Sequence, residues 1–115
     1  MAAMNYPHSL SLLTVVTTTV GSAVDAERLA QGSVQARVAA CAQVEAITSH
    51  YVWDGALEHS PEWRVVFKTL PSVVEHLWDW LKTVHPYEVP QLLQRTEHAN
   101  AAYAAWVAAQ VDASV

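Results

Sequence analysis

The sequence predicts an α+β domain with the element order βαββαβ and one further helix at the end. Three observations carry this reading. Runs rich in β-branched residues alternate with stretches of helical period, an Asp54-Gly55 pair divides two long β-prone arms, and His85-Pro86 stops a second amphipathic stretch. At 115 residues the chain has room for one compact domain. Residues 1–8 are expected as a loose tail and 9–113 as the single domain.

The first strand is expected over Leu10 to Val20. It is dense in Thr and Val and ends at Gly21-Ser22, as a strand buried on both faces would be. From Ser22 to Arg37 the period changes: Ala26, Leu29, Ala30, Ser33, Val34, Arg37 and Val38 follow one helical face. Gly32 costs that helix about 1 kcal/mol relative to Ala, so close packing is expected there.

Val38 to Trp53 and Ala56 to Thr69 are then the arms of a hairpin, because Asp-Gly between such runs favours a tight two-residue turn. In the second arm Trp63, Val65 and Phe67 should face the core, alternating with Arg64, Val66 and Lys68. Pro61 lacks an amide proton and is expected at an edge or a bulge. Arms this long should project beyond the body of one subunit.

Ser72 and Glu75 read as a capping box for a second helix carrying Val74, Leu77, Trp78, Leu81 and Val84 on one stripe. Trp78 and Trp80 point about 200° apart on it, so one of them must be exposed or covered by a neighbour. Pro90 to Thr96 is expected as the fourth strand, and Asn100 as the N-cap of a last helix with Tyr103, Trp106, Val107 and Val111 on one face. This order is the split, ferredoxin-like plan with an added helix.

Composition excludes several functions. Six basic residues against eleven acidic ones give a formal charge of −5 and no basic patch, which argues against nucleic acid as a partner. No run is long and apolar enough to span a bilayer, so no membrane association is expected, and no leader is read at the N-terminus. The lone Cys41 cannot close an internal disulfide and fits the cytosol. With three glycines there is no phosphate loop, and no nucleophile elbow or matched nucleophile and base appears, so no catalysis is expected. A composition that is 52% hydrophobic and 15% charged favours an oligomer.

The six histidines show no His-x-His or His-x-x-x-His spacing, so any metal site must be assembled in space. His85 with Cys41 is the pair expected to do so, since imidazole and thiolate suit copper and other late divalent ions. Each has a plainer reading: Cys41 as a buried thiol, and His85 as a partner for carbonyls at a helix end. Glu62, Glu88, Asp54 and Glu58 read as solvated charges. Lys68 is either a snorkelling side chain or a countercharge in a ligand site.

These residues resemble the CutA divalent-cation tolerance family. The likeness is carried by Arg37-Val38-Ala39-Ala40-Cys41, Thr48-Ser49, Tyr51-x-Trp53-x-Gly55, Glu62 leading to Phe67-Lys68-Thr69, His85-Pro86-Tyr87-x-x-Pro90 and Tyr103-x-x-Trp106. The resemblance implies a homotrimer shaped like the PII signalling proteins, with hairpins pairing across subunits. It also implies tolerance to divalent metals, no tightly bound cofactor, and Cu2+ or another divalent cation as the ion held in or near intersubunit clefts. His85 and Cys41 would be the metal residues, and Tyr51, Trp53, Glu62, Lys68 and Tyr87 would line the cleft. Thr18 and Val84 stand where some metal-binding relatives carry Cys and a second His, and Gln91 stands where some carry Glu. Two other readings are a PII-like sensor holding an anionic metabolite against Lys68, and a purely structural trimer.

Overall fold

The computed structural model describes residues 10–112, so the tail expected over residues 1–8 lies outside the described residues. The elements are β1 (Leu10–Val20), α1 (Ala23–Gln35), β2 (Cys41–Trp53), β3 (Ala56–Thr69), α2 (Val74–Val84), β4 (Leu93–Asn100) and α3 (Ala101–Gln110). They form an α+β unit around one antiparallel sheet in the order β2-β3-β1-β4. β1 is central and buried from Leu13 to Val20, which is why that stretch carries Val and Thr on both faces and no charge.

The sheet separates two cores. On one face Val16, Val20, Val65 and Phe67 meet Ala26 and Leu29 of α1 and Leu77 and Leu81 of α2. On the other, Leu13 meets Ala40, Val73, and Ala104, Val107 and Val111 from the end of the chain. The close packing expected at Gly32 is present. A Cβ there would lie 2.9 Å from the Trp80 ring, so α1 covers Trp80 while Trp78 stays partly buried beneath Lys82, whose ammonium stands 5.8 Å from its ring centre.

The hairpin turn is Asp54-Gly55, both at positive φ (51° and 78°), as a type I′ turn requires. Its register runs unbroken from Trp53↔Ala56 to Cys41↔Lys68, so Pro61 sits at an edge and not in a bulge. Since the pair flanking a two-residue turn is hydrogen-bonded and the pairs then alternate, Thr48↔Pro61 is a non-hydrogen-bonded pair and the proline nitrogen faces away from β2. β1 has already ended on that side, at Val20↔Trp63. The outer hairpin, from His50 to His59, is exposed throughout. It stretches the chain to 53 × 31 × 19 Å with a radius of gyration of 16.1 Å, against about 13 Å for a compact domain of roughly 100 residues.

Four local expectations are corrected. β2 begins at Cys41, because Val38, Ala39 and Ala40 are buried in the turn that follows α1. The capping box of α2 does not form: Val73 is the N-cap and makes no side-chain cap bond, and the Leu70 carbonyl accepts the amides of Val73 and Val74 instead. β4 lies further along the chain than Pro90 to Thr96, since its ladder to β1 runs from Leu93↔Thr17 to Asn100↔Leu10. In α3 the buried residues are Ala104 and Val107, while Trp106 is exposed and stacks on Tyr103 with ring centres 5.7 Å apart.

Candidate functional site

The hairpin register places most of the expected site residues on one face. Cys41 pairs with Lys68, and Tyr51 with Glu58, so Cys41, Tyr51, Trp53, Glu62 and Lys68 all point to the side of the sheet away from α1 and α2. They are strung along it, however, and divide between two places.

Near the hairpin tip, Tyr51, Trp53, Ser60 and Glu62 form one wall of an open cleft of about 830 Å3. The segment after α2 supplies the other wall with Pro86, Tyr87, Glu88 and Val89. Glu62 lies one residue past the last β1 pair, so no strand covers its flank and the loop fills that space. Its two oxygens are held separately. Ser49 Oγ donates to Oε1 at 2.6 Å and the Tyr87 hydroxyl donates to Oε2 at 2.9 Å. Gly21 makes room for this approach, since a Cβ there would stand 3.1 Å from the Tyr87 oxygen. Burial, with the Glu62 carboxylate next, pushes the Tyr87 phenol up to about 12, so it remains a donor at neutral pH. Among the described residues, two carboxylates and no basic side chain line the cleft.

His85 supports this wall without lining it. Thr18 Oγ1 donates to the Gln91 carbonyl at 2.7 Å and so has no proton left for the His85 Nε2 that stands 2.9 Å away. Nε2 therefore carries the hydrogen, and Nδ1 accepts the Tyr87 amide at 3.0 Å. Both ring nitrogens are engaged. Burial holds the ring below its ordinary pKa, helped by Arg28 and opposed by a main-chain bond at Thr19 and by Asp25. The His85 amide reaches the Leu81 carbonyl at the end of α2, as any residue there could, while its ring, the group expected to serve such carbonyls, is engaged with Thr18 and Tyr87.

Cys41 and His85 do not converge within one chain. Cys41 shares the Lys68 face, whereas the Thr18 that holds His85 pairs with Val65 on the α1 and α2 face. Cys41 is partly exposed in the single chain, short of the buried thiol expected from Val-Ala-Ala-Cys-Ala. Among the described residues no group of three or more His, Cys, Asp or Glu side chains is placed to hold a metal ion. Lys68 belongs to a second groove of about 450 Å3, with Arg95, Glu97 and Tyr103 among its lining. Its ammonium stands 5.9 Å from the Tyr103 ring centre, and burial followed by Cys41 raises that phenol's pKa.

A family model described as "CutA1 divalent ion tolerance protein" matches residues 14–110. The chain belongs to this family. It is 39% identical to the human protein CutA over 84 residues, which is 71% of this chain and 47% of that protein. The chain thus spans about half the length of the animal relatives it matches. It is 35% identical over 99 residues to the divalent-cation tolerance protein CutA of Salmonella newport, covering 84% of this chain and 86% of that one. The solved structure of CutA from Synechococcus elongatus superposes with a TM-score of 0.86 at 35% identity, over 90% of this chain and 96% of that one. CutA1 from Pyrococcus horikoshii superposes with a TM-score of 0.82 at 27% identity, over 86% and 98%. The family segment takes in both walls of the cleft.

Thr18 and Ser49 carry no motif that marks them as functional partners, and both hold the site's framework. Their signal is weak, because each acts through a hydroxyl bond to a residue far along the chain.

Proposed function

We propose that this chain is a divalent-cation tolerance protein that acts as a homotrimer, binds rather than transforms its ligand, and takes a divalent cation in the cleft between Glu62 and the loop of Tyr87 and Glu88. The observation that carries this reading is the uncompensated charge of that cleft. Glu62 and Glu88 face it, Glu62 is held in place by two donors, and no Lys or Arg among the described residues lines it, so its potential draws cations. Its donors are carboxylate and phenolic oxygens, which suit hard divalent ions such as Mn2+ better than copper. Copper at His85 would have to break one of the two bonds of that ring. His85 is the residue that sets the loop, and Tyr87 the one that orients Glu62.

The homotrimer is supported by the projecting hairpin, where Val52, Trp53 and Leu57 are 69%, 71% and 78% exposed in a single chain. The anionic-metabolite reading loses its countercharge at this cleft, since Lys68 stands in the other groove. A cytoplasmic location is proposed on the strength of the lone cysteine.

Calorimetric titration with Mn2+ tests the cleft. Glu62→Gln keeps the size of the side chain and the acceptor for Ser49 but removes the charge, and is expected to weaken binding at least tenfold. Tyr87→Phe is expected to weaken it less, by severalfold. Equal affinity in wild type and Glu62→Gln would reject the assignment.

A further inference from the structure

The turn at Asp54-Gly55 sets His50 directly opposite His59 across the hairpin. Counting outward from the hydrogen-bonded pair Trp53↔Ala56, this is a non-hydrogen-bonded pair, the type in which opposed side chains approach most closely. The two rings lie 5.6 Å apart between centres, tilted by 32°. Both residues are exposed, and neither ring has a hydrogen-bond partner among the described residues. They stand on the opposite face of the hairpin from Tyr51 and Trp53, so they take no part in the cleft.

We propose that His50 and His59 form a cross-strand chelate for a late divalent ion, with copper preferred. Two imidazoles that share one ion keep a nitrogen about 2.0–2.1 Å from it, which places their ring centres at most roughly 6 Å apart. The observed separation lies within that span, and only ring rotation is needed to turn a nitrogen of each toward a common point. The strands are already fixed in register by a type I′ turn with both central residues at positive φ, so binding orders two side chains and no backbone. Imidazole nitrogen selects Cu2+, Ni2+ and Zn2+ over Mg2+ or Ca2+, and affinity among the former should peak at Cu2+. The pair provides two protein ligands and leaves the remaining positions to water. The site does not depend on the cleft: it uses other residues, another face and a different class of ion.

Titration of the 115-residue chain with Cu2+, followed by calorimetry and pulsed electron paramagnetic resonance, tests it. One Cu2+ per chain is expected, with two imidazole nitrogens coupled to the metal. His50→Ala and His59→Ala should each weaken binding at least tenfold and reduce the spectrum to one imidazole, and His98→Ala should leave both unchanged. Ni2+ and Zn2+ should bind at the same place more weakly. Wild-type copper affinity in either hairpin variant, or a wild-type spectrum showing fewer than two imidazoles, would overturn the proposal. Glu62→Gln serves as the separating control, since it should weaken the Mn2+ response at least tenfold and leave the copper response intact.

Discussion

His85 enters the fold as a neutral ring donating from Nε2 and accepting at Nδ1, and a proton on Nδ1 would destroy the bond to the Tyr87 amide. Its pKa is lowered chiefly by burial, so the unfolded chain takes up the proton first as acidity rises. The stability this ring contributes is full above about pH 6.5 and is lost as pH falls from there through the lower folded value. Thermal melts at pH 7.5 and 5.5 should therefore show a larger drop for wild type than for His85→Gln, which does not titrate; equal drops would reject the linkage. The residue scale is also where the sequence was least legible. His85 and Glu62 stand out in the sequence, yet their partners Thr18 and Ser49 look like ordinary strand residues until the chain brings them close. The His50 and His59 pairing, by contrast, was within reach. Once a two-residue turn at 54 and 55 is accepted, residues equally far from it must face one another.

At the scale of elements, Gly32 shows how packing overrides propensity. Gly→Ala inside a helix ordinarily gains about 1 kcal/mol, but a Cβ here meets the rigid Trp80 ring at 2.9 Å. Gly32→Ala is therefore expected to destabilise by about 1–2 kcal/mol, measured by urea denaturation, because crowding in a packed interface outweighs the helix gain. A stabilised variant would mean that α1 and α2 can part freely. Arg37 makes a related point. At φ 61° it pays the left-handed penalty of a non-glycine residue at the end of α1, and its guanidinium reaches the Gln110 and Ala109 carbonyls at 3.0 and 3.3 Å. It thereby caps the far helix α3 with a positive charge. Hydrophobic period located β1, α1, the hairpin and α2, because their apolar residues face the cores. It misplaced β4, whose Gln94, Thr96, Glu97 and His98 are exposed and whose strand character comes from the ladder to β1. The Ser72 and Glu75 motif likewise suggested a cap for α2 where the Leu70 carbonyl does that work.

At the scale of the whole molecule, the outer hairpin leaves in one chain the apolar surface that the proposed homotrimer would cover. Trp53 and Leu57 are 71% and 78% exposed beside Val52 at 69%, and apolar surface of this kind is normally covered. Sedimentation velocity at micromolar concentration should show a trimer. Replacing Trp53 and Leu57 together by Glu should shift the population toward monomer, since charges there cannot be buried without partners. A wild-type monomer would remove the homotrimer, while the Mn2+ and Cu2+ titrations would still read each site in the single chain.

The amino-acid order alone determined the succession of strands and helices, the turn at Asp54-Gly55, the central burial of β1 and the family, because each rests on contacts between residues close in sequence or on short motifs. Which side chains meet was decided only by the tertiary structure. The sheet order sets Cys41 and His85 on opposite faces, the end of β1 leaves Glu62 open to the Tyr87 loop, and Lys68 is carried into a separate groove. These outcomes depend on where strands stop relative to one another, and that is set by long-range pairing, which leaves no local trace in the sequence.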